Sequence, residues 1–230
     1  KNKYDIAIKY LEKNKSDTCQ CLYLGCLISL DREKEFNQKY NQLTKKNVCN
    51  SEIGAISEHA NIIYNDNYKS PFCNKSIDYT FIEKIDEDLF STNDCNLLIS
   101  FFKDHKNFYS QGLLENGCQT FGNLFRFDYS FIKSIRNALE IKIKNYKNKF
   151  KDSRQGFITN WPERYELRSW MVGMKSGGFL KPHNHNYAWI SGSFYLQVPK
   201  RYENENAGNI AFGYKCPEYP SKDKDFNLTL

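Results

Sequence analysis

The run from Ala188 to Val198 constrains the fold more than any other part of the sequence, because its side chains alternate between two classes. Even positions are aliphatic, aromatic or glycine, and odd positions mostly carry hydroxyl, amide or indole groups. A period of two residues is typical of a β-strand, whose successive side chains point to opposite faces. We predict a strand here, with a half-exposed edge strand as the alternative to one that lines a pocket. The pocket face would carry Trp189, Ser191, Ser193, Tyr195 and Gln197.

More sequence typical of strands and turns surrounds this run. Tyr165–Met174 is aromatic and apolar, Ser176–Gly178 is predicted as a turn, and Asn209–Tyr214 as another strand. Upstream, Ile77–Ile85 also has the composition of a strand, whereas Gln111–Asn123 contains three glycines and is predicted to be a loop. Several short strands joined by glycine-rich and asparagine-rich turns favour a barrel or a sandwich.

The clearest helix is predicted over Tyr129–Phe150, where apolar residues recur every three or four positions. One continuous apolar stripe on such a long helix indicates that it packs on the outside of a sheet. A shorter helix is predicted over Leu97–His105.

Residues 3–66 read as short amphipathic helices, with Ser51 as the N-cap of the last one. The turn-rich stretch Asn65–Ser76 is predicted to be a linker, which divides the chain into a helical part over 1–68 and a second domain over 77–230. Helix pairs of this size resemble the last units of a tetratricopeptide-type array. Two interpretations stay open: a scaffold that binds a protein partner, or a helical cap on the next domain.

Composition narrows the classes of function. The chain is 40% hydrophobic and 16% aromatic, enough for a packed core, and its net charge of +6 is scattered without a basic cluster. We therefore expect no nucleic-acid partner. No apolar run is long enough for a membrane span, and no secretion signal is visible. Eight irregularly spaced cysteines then suggest reduced thiols, some of them buried, in a cytoplasmic protein.

Two of the four histidines stand two residues apart in Lys181-Pro182-His183-Asn184-His185. Side chains at that spacing share one face of a strand, so both imidazoles can reach one ion. Imidazole is a ligand for iron, zinc, copper and nickel. We predict that His183 and His185 bind a metal and that His59 and His105 are structural. The three tryptophans could line the same site, although tryptophan is more often a core residue.

Several segments of this sequence resemble the 2-oxoglutarate/Fe(II)-dependent oxygenases of bacteria and phages, over a region from about Phe121 to the end. They are Gln155–Pro162, Leu167–Leu180, Lys181–His185, Trp189–Pro199 and Gly208–Ile210. The resemblance implies an α+β chain in which N-terminal α-helical hairpins precede a double-stranded β-helix, a jelly-roll barrel flanked by the long helix.

The resemblance also implies the site. His183 matches the first iron ligand, His185 stands where relatives carry Asp or Glu, and Tyr195 matches a residue that binds the carboxylate of 2-oxoglutarate. The cofactors would be Fe(II) and 2-oxoglutarate, and the activity that of a dioxygenase that hydroxylates an unknown protein or small molecule. No other catalytic residue is assigned. No histidine follows His185, so the family's distal ligand and the basic residue after it are missing. We expect a barrel incomplete at its C-terminus and a fragment inactive alone.

Two other functions remain open. One is a cupin-like barrel that uses His183 and His185 for another metal without oxygenase activity. The other is an interaction protein in which the helical part binds a partner and the barrel is inactive. Zinc or nickel in place of iron, with no turnover of 2-oxoglutarate, would favour the first.

Overall fold

The computed structural model describes residues 2–64, 67–105, 108–109, 111–185, 188–198, 207–212 and 228–229 and mixes helices with small antiparallel sheets. Four helices precede residue 65, in agreement with the helical N-terminal part predicted from the sequence. Asn50, rather than Ser51, caps the fourth helix, because its side-chain oxygen accepts a hydrogen bond from Ile53 N at 2.9 Å. The four are α1 (Asn2–Leu11), α2 (Asp17–Ser29), α3 (Glu33–Lys45) and α4 (Ser51–Tyr64).

The first hydrophobic core lies among these helices, around the fully buried Phe36. The segment 67–76, predicted to be a linker, is irregular but packs into this core. The Tyr68 ring meets the Phe36 ring edge-on at 5.3 Å. The Asn61 side chain bonds both the backbone N and the backbone O of Tyr68, at 2.6 and 3.1 Å. The segment therefore continues the helical core, and the domain boundary proposed at this position stays a prediction.

A second core forms between α5 (Thr92–Asp104) and α6 (Ser130–Lys149). The predicted long helix over 129–150 is confirmed to within one residue at each end, and the predicted shorter helix corresponds to α5. The prediction of a strand over Ile77–Ile85 is wrong, because a 3-10 turn over Ser76–Tyr79 is followed there by irregular chain. This stretch is held by Lys142 of α6, whose ammonium group lies 3.1 Å from Glu83 and 3.2 Å from Asp86.

Three strands form an antiparallel sheet in the order β1 (Phe108–Tyr109), β2 (Leu114–Thr120), β3 (Val172–Leu180). The expected loop over 111–123 is therefore wrong for residues 114–120, which pair with β3 despite their polar, glycine-containing sequence. The predicted turn over 176–178 forms a bulge inside β3, where the pairing register shifts and Gly177 has a φ of 73°. Glycine adopts such a conformation at little cost because it has no Cβ atom.

A second pair of strands, β4 (Ala211–Phe212) and β5 (Leu228–Thr229), is also antiparallel. The predicted strand over 209–214 contains β4, and its last two residues lie outside the part of the chain that the structure describes. The short helix α7 (Gly156–Thr159) follows α6 in the chain and packs against the helical N-terminal part. Its residues Phe157 and Ile158 are buried in the first core.

The strand predicted over Ala188–Val198 is wrong, since these residues form no regular secondary structure. Their side chains instead reach different cores. The Trp189 ring packs at 5.0 Å from that of Phe72 in the first core, while Phe194 lies 5.7 Å from Phe90 in the second. Trp189 and Phe194 thus pack in different places, and the alternation of the segment does not correspond to the two faces of a sheet.

Two further observations concern the described residues. None of their helices combines the length and the apolar character that a bilayer span needs. Their seven cysteines are free thiols, and Cys21, Cys26 and Cys73 are buried. Cys216 lies outside the described ranges.

Candidate metal site and pocket

His183 and His185 lie within five residues of the end of β3, just after a point that is fixed to the sheet. Lys181 N donates a hydrogen bond to Leu113 O at 2.8 Å, which extends the β2–β3 pairing by one residue. The Lys181 ammonium group also lies 2.9 Å from a carboxylate oxygen of Glu115. Beyond this anchor the chain turns back along β3, because the His185 ring lies edge-on to Trp170, 5.5 Å away, at the opposite end of the strand.

The imidazole rings of His183 and His185 converge, with their Nε2 atoms 3.2 Å apart. Two nitrogens bound to one ion at about 2.1 Å would be separated by about 3.0 Å at an octahedral angle and about 3.4 Å at a tetrahedral one. The observed separation falls between these values. The two rings thus face each other although 181–185 form no strand, and the binding of a metal by them stays a prediction.

The Nδ1 atom of each ring has its own partner. His183 Nδ1 lies 2.9 Å from Lys181 O, and because a carbonyl only accepts, this nitrogen must carry the proton. In neutral His183 the Nε2 atom is then an unprotonated acceptor that faces His185. His185 Nδ1 lies 2.5 Å from the Ser191 hydroxyl, which can donate or accept. Hydrogen bonds of this kind fix the tautomer and orientation of metal-binding histidines.

Partial burial lowers the pKa of the largely exposed His185 ring below its usual value, and a positive charge on neighbouring His183 would lower it further. Both causes favour the neutral imidazole. A neutral ring is the form that binds a metal ion, so the surroundings of His185 favour the state a ligand needs.

An open pocket of about 330 Å³ lies beside the two histidines. One side chain in it, Gln119, is only 6% exposed and has both ends of its amide occupied. Gln111 Nε2 donates to Gln119 Oε1, and Gln119 Nε2 donates to the Tyr109 hydroxyl oxygen, each at 2.8 Å. We call this chain of hydrogen bonds the amide relay. The pocket is lined by Tyr109, Gln111, Gln119, Thr120, Phe121, Gly122, Trp170, Leu180, His183 and His185.

Of the side chains expected on the pocket face, only Ser191 is hydrogen-bonded to one of the two histidines. Tyr195 does not line the pocket described above, and no hydrogen bond or ring contact between described residues joins it to His183 or His185. Its side chain is 48% exposed, and partial burial raises the pKa of its phenol. The parity argument for Tyr195 depended on a strand that does not form. Its role stays a prediction.

The tryptophans divide between site and core. Trp170 lines the pocket, whereas Trp189 donates its indole N–H to Phe157 O at 2.8 Å in the first core. Trp161 packs against Tyr146, with ring centroids 6.2 Å apart. Trp170 is thus the tryptophan that lies beside the predicted ligands.

The remaining histidines lie elsewhere, His59 in α4 and His105 after α5. The His105 ring sits among aromatic side chains, 5.1 Å from Phe101 and 5.7 Å from Phe127. Within the ranges that the structure describes, no group of three His, Cys, Asp or Glu side chains could hold a metal ion. Those ranges provide a pair of converging nitrogens.

Comparison with known proteins bears on the same segment. Residues 168–230 match the model of a family described as "Putative 2OG-Fe(II) oxygenase". The match includes β3, both converging histidines and Ser191, and it covers the final part of the chain rather than most of it. No curated protein and no solved structure matches the chain. The similarity therefore extends to the segment that carries the site.

Proposed function

From the match over residues 168–230, we propose that this protein is an Fe(II)- and 2-oxoglutarate-dependent dioxygenase that hydroxylates its substrate. The proposal includes a double-stranded β-helix of which the β1–β2–β3 sheet is one part. Support comes from the agreement between two independent observations: the family resemblance of this segment, and the convergence of two ring nitrogens within it.

The observation that carries the proposal is the 3.2 Å separation of the two Nε2 atoms. His183 Nε2 is an acceptor, and a second lone pair facing it would repel it unless a proton or a cation lay between them. Fe(II) would be held by these two nitrogens, together with ligands that lie beyond the described pair. Tyr195 remains the proposed partner of the 2-oxoglutarate carboxylate, on the strength of the resemblance alone.

Bound Fe(II) and 2-oxoglutarate supply the activation of O2 and the two-electron oxidation that inserts a hydroxyl group. The protein's own residues hold the site in place. Lys181, bonded to β2, accepts from His183 Nδ1 and so fixes that ring relative to the sheet. The Trp170 ring lies edge-on to the His185 ring at 5.5 Å and so packs against one side of it.

Ser191 can serve His185 with or without a metal. Without one, the hydroxyl donates to His185 Nδ1, and His185 Nε2–H donates to His183 Nε2. With a cation between the rings, His185 carries its proton on Nδ1 and donates it to the Ser191 oxygen. The same side chains satisfy both states, so binding of a metal requires a change of tautomer and a rotation of one hydroxyl group.

The experiment is a measurement of succinate formed from 2-oxoglutarate by the full-length gene product, with Fe(II) and ascorbate present. We expect turnover that depends on Fe(II), is lost in His183→Ala and is kept in His59→Ala, whose histidine lies in α4. Stoichiometric zinc or nickel with no succinate would contradict the proposal and favour the cupin-like metal-binding barrel.

A further inference from the structure

The amide relay lies in the same pocket as the histidines, and each of its two ends carries a group that bonds no further described residue. At one end the Tyr109 oxygen accepts from Gln119, which leaves the phenolic hydrogen free to donate. At the other end Gln111 uses its NH2 group toward Gln119, which leaves its carbonyl oxygen free to accept. The relay therefore offers a ligand at least one donor, the Tyr109 hydroxyl, and at least one acceptor, the Gln111 carbonyl oxygen.

The central amide of the relay is held in place, as a recognition element requires. Gln119 is almost fully buried, and its position opposite Tyr109 follows from the pairing of β1 with β2. The Tyr109 ring is also braced by Phe121, whose ring lies edge-on to it at 5.8 Å. A buried amide with both ends bonded has little freedom, so a bound ligand does not have to order it.

The rest of the lining is apolar or neutral. Phe121 and Trp170 are 70% and 40% exposed and form aromatic walls. Apart from the two histidines, the lining residues that the structure describes carry no ionisable group except the Tyr109 phenol. A carboxylate or phosphate ligand would find no cation among these residues, whereas a neutral amide could both accept from Tyr109 and donate to Gln111.

Size points in the same direction. A volume of about 330 Å³ is at the small end of the range for ligand pockets. It suits one apolar side chain with a neighbouring peptide group, set between the aromatic walls, better than it suits a large planar ligand.

We propose that this pocket binds an amide-bearing substrate, a single residue of a peptide chain, with its amide on the relay and its side chain beside Trp170. The claim that this ligand is the substrate to be hydroxylated rests on the proposed function. The claim that the pocket binds an amide is independent of that function, and amide binding can be measured in the absence of iron.

The test is binding of N-acetyl-leucinamide, measured by saturation-transfer NMR, with N-acetyl-leucine as the matched acid. We expect the amide to bind about tenfold more tightly than the acid, since the acid would leave its charge without a partner. Tyr109→Phe should weaken amide binding by about three- to tenfold, because the donor is lost while the ring remains. Gln111→Ala changes the half-exposed end of the relay and should also weaken amide binding. It serves as the second variant if Tyr109→Phe does not fold.

Tyr165→Phe is the control, because Tyr165 is 49% exposed and does not line the pocket. Equal or tighter binding of the acid, no amide binding up to its solubility limit, or equal affinities in Tyr109→Phe and Tyr165→Phe would overturn the inference. Amide binding in a protein that never turns over 2-oxoglutarate would instead contradict only the proposed function. Turnover by a protein that does not bind the amide would contradict only the pocket inference.

Discussion

Replacing Gly156 with alanine tests how α7 packs against the helical N-terminal part. Gly156 begins α7 and is buried where that helix meets residues 49 and 71 of the helical part. A Cβ atom added there would lie 1.9 Å from the Pro71 carbonyl oxygen and 2.6 Å from the Cys49 sulfur. The closest atom belongs to the backbone, so a side-chain rotation cannot relieve the clash.

The expected cost follows from these contacts. Overpacking a rigid site costs typically 1–3 kcal/mol and occasionally more, and a 1.9 Å approach to backbone belongs at the upper end, about 3 kcal/mol. The shift would also strain the neighbouring hydrogen bond from Phe157 N to Phe72 O, now 2.9 Å. For a chain of this length, about 3 kcal/mol corresponds to a fall in Tm of about 6 to 12 °C.

The assay is thermal unfolding followed by circular dichroism, with Gly192→Ala as the matched control. A Cβ at Gly192 would meet no atom within 4 Å, and no positive φ strains it, so its Tm should stay within about 2 °C of the wild-type value. If Gly156→Ala melted within the same margin, α7 would not lie against residues 49 and 71 as described. The account of a continuous first core would then be refuted.

Three further predictions concern the site and its surroundings. Ser191→Ala should weaken binding of Fe(II) by about 10- to 100-fold in an anaerobic titration, because His185 loses the partner of its Nδ1 atom. Ser193→Ala should leave the affinity unchanged, and equal affinities in the two variants would contradict the role of Ser191. Burial raises the pKa of the Cys21 and Cys73 thiols to about 12 each. At pH 9 both thiols should therefore stay protonated and resist a disulfide reagent until the protein unfolds. Mass spectrometry of labelled peptides measures this, and reaction of either thiol before unfolding would contradict it. Trp189→Phe should lower the free energy of unfolding by about 1 kcal/mol in urea, because the ring packing is largely kept and one hydrogen bond to α7 is lost; no change would show that this bond does not contribute.

Helices in this protein could be predicted from sequence because their signal is local. The stripe that defines α6 repeats every three or four residues, and its bounds follow from it. The strand β2 could not be predicted in the same way, since its sequence is polar and contains Gly117. It is a strand because β3, more than fifty residues later, pairs with it. Such pairing has no signature inside the segment itself.

The site also contains features that the sequence predicts and features that depend on pairing between distant segments. The spacing of His183 and His185 predicts that their rings face one point, and the rings do meet, but neither they nor Ser191 lie in the strands from which that prediction was argued. The amide relay was missed because Tyr109 and Gln119 become neighbours only through the pairing of β1 with β2. Trp189 was placed on the pocket face, yet it packs in the first core because Phe72 and Phe157 offer it apolar contacts and a carbonyl acceptor.

The central claim, that His183 and His185 hold Fe(II), is tested most directly by an anaerobic Fe(II) titration of the full-length gene product, with 2-oxoglutarate added afterwards. The account predicts one Fe(II) per chain and a visible charge-transfer band when the 2-oxo acid binds. His183→Ala and His185→Ala should each weaken iron binding by more than the roughly 10- to 100-fold cost of losing a ligand's hydrogen-bond partner, and His59→Ala should match the wild type. Unchanged iron affinity in His183→Ala would contradict the account.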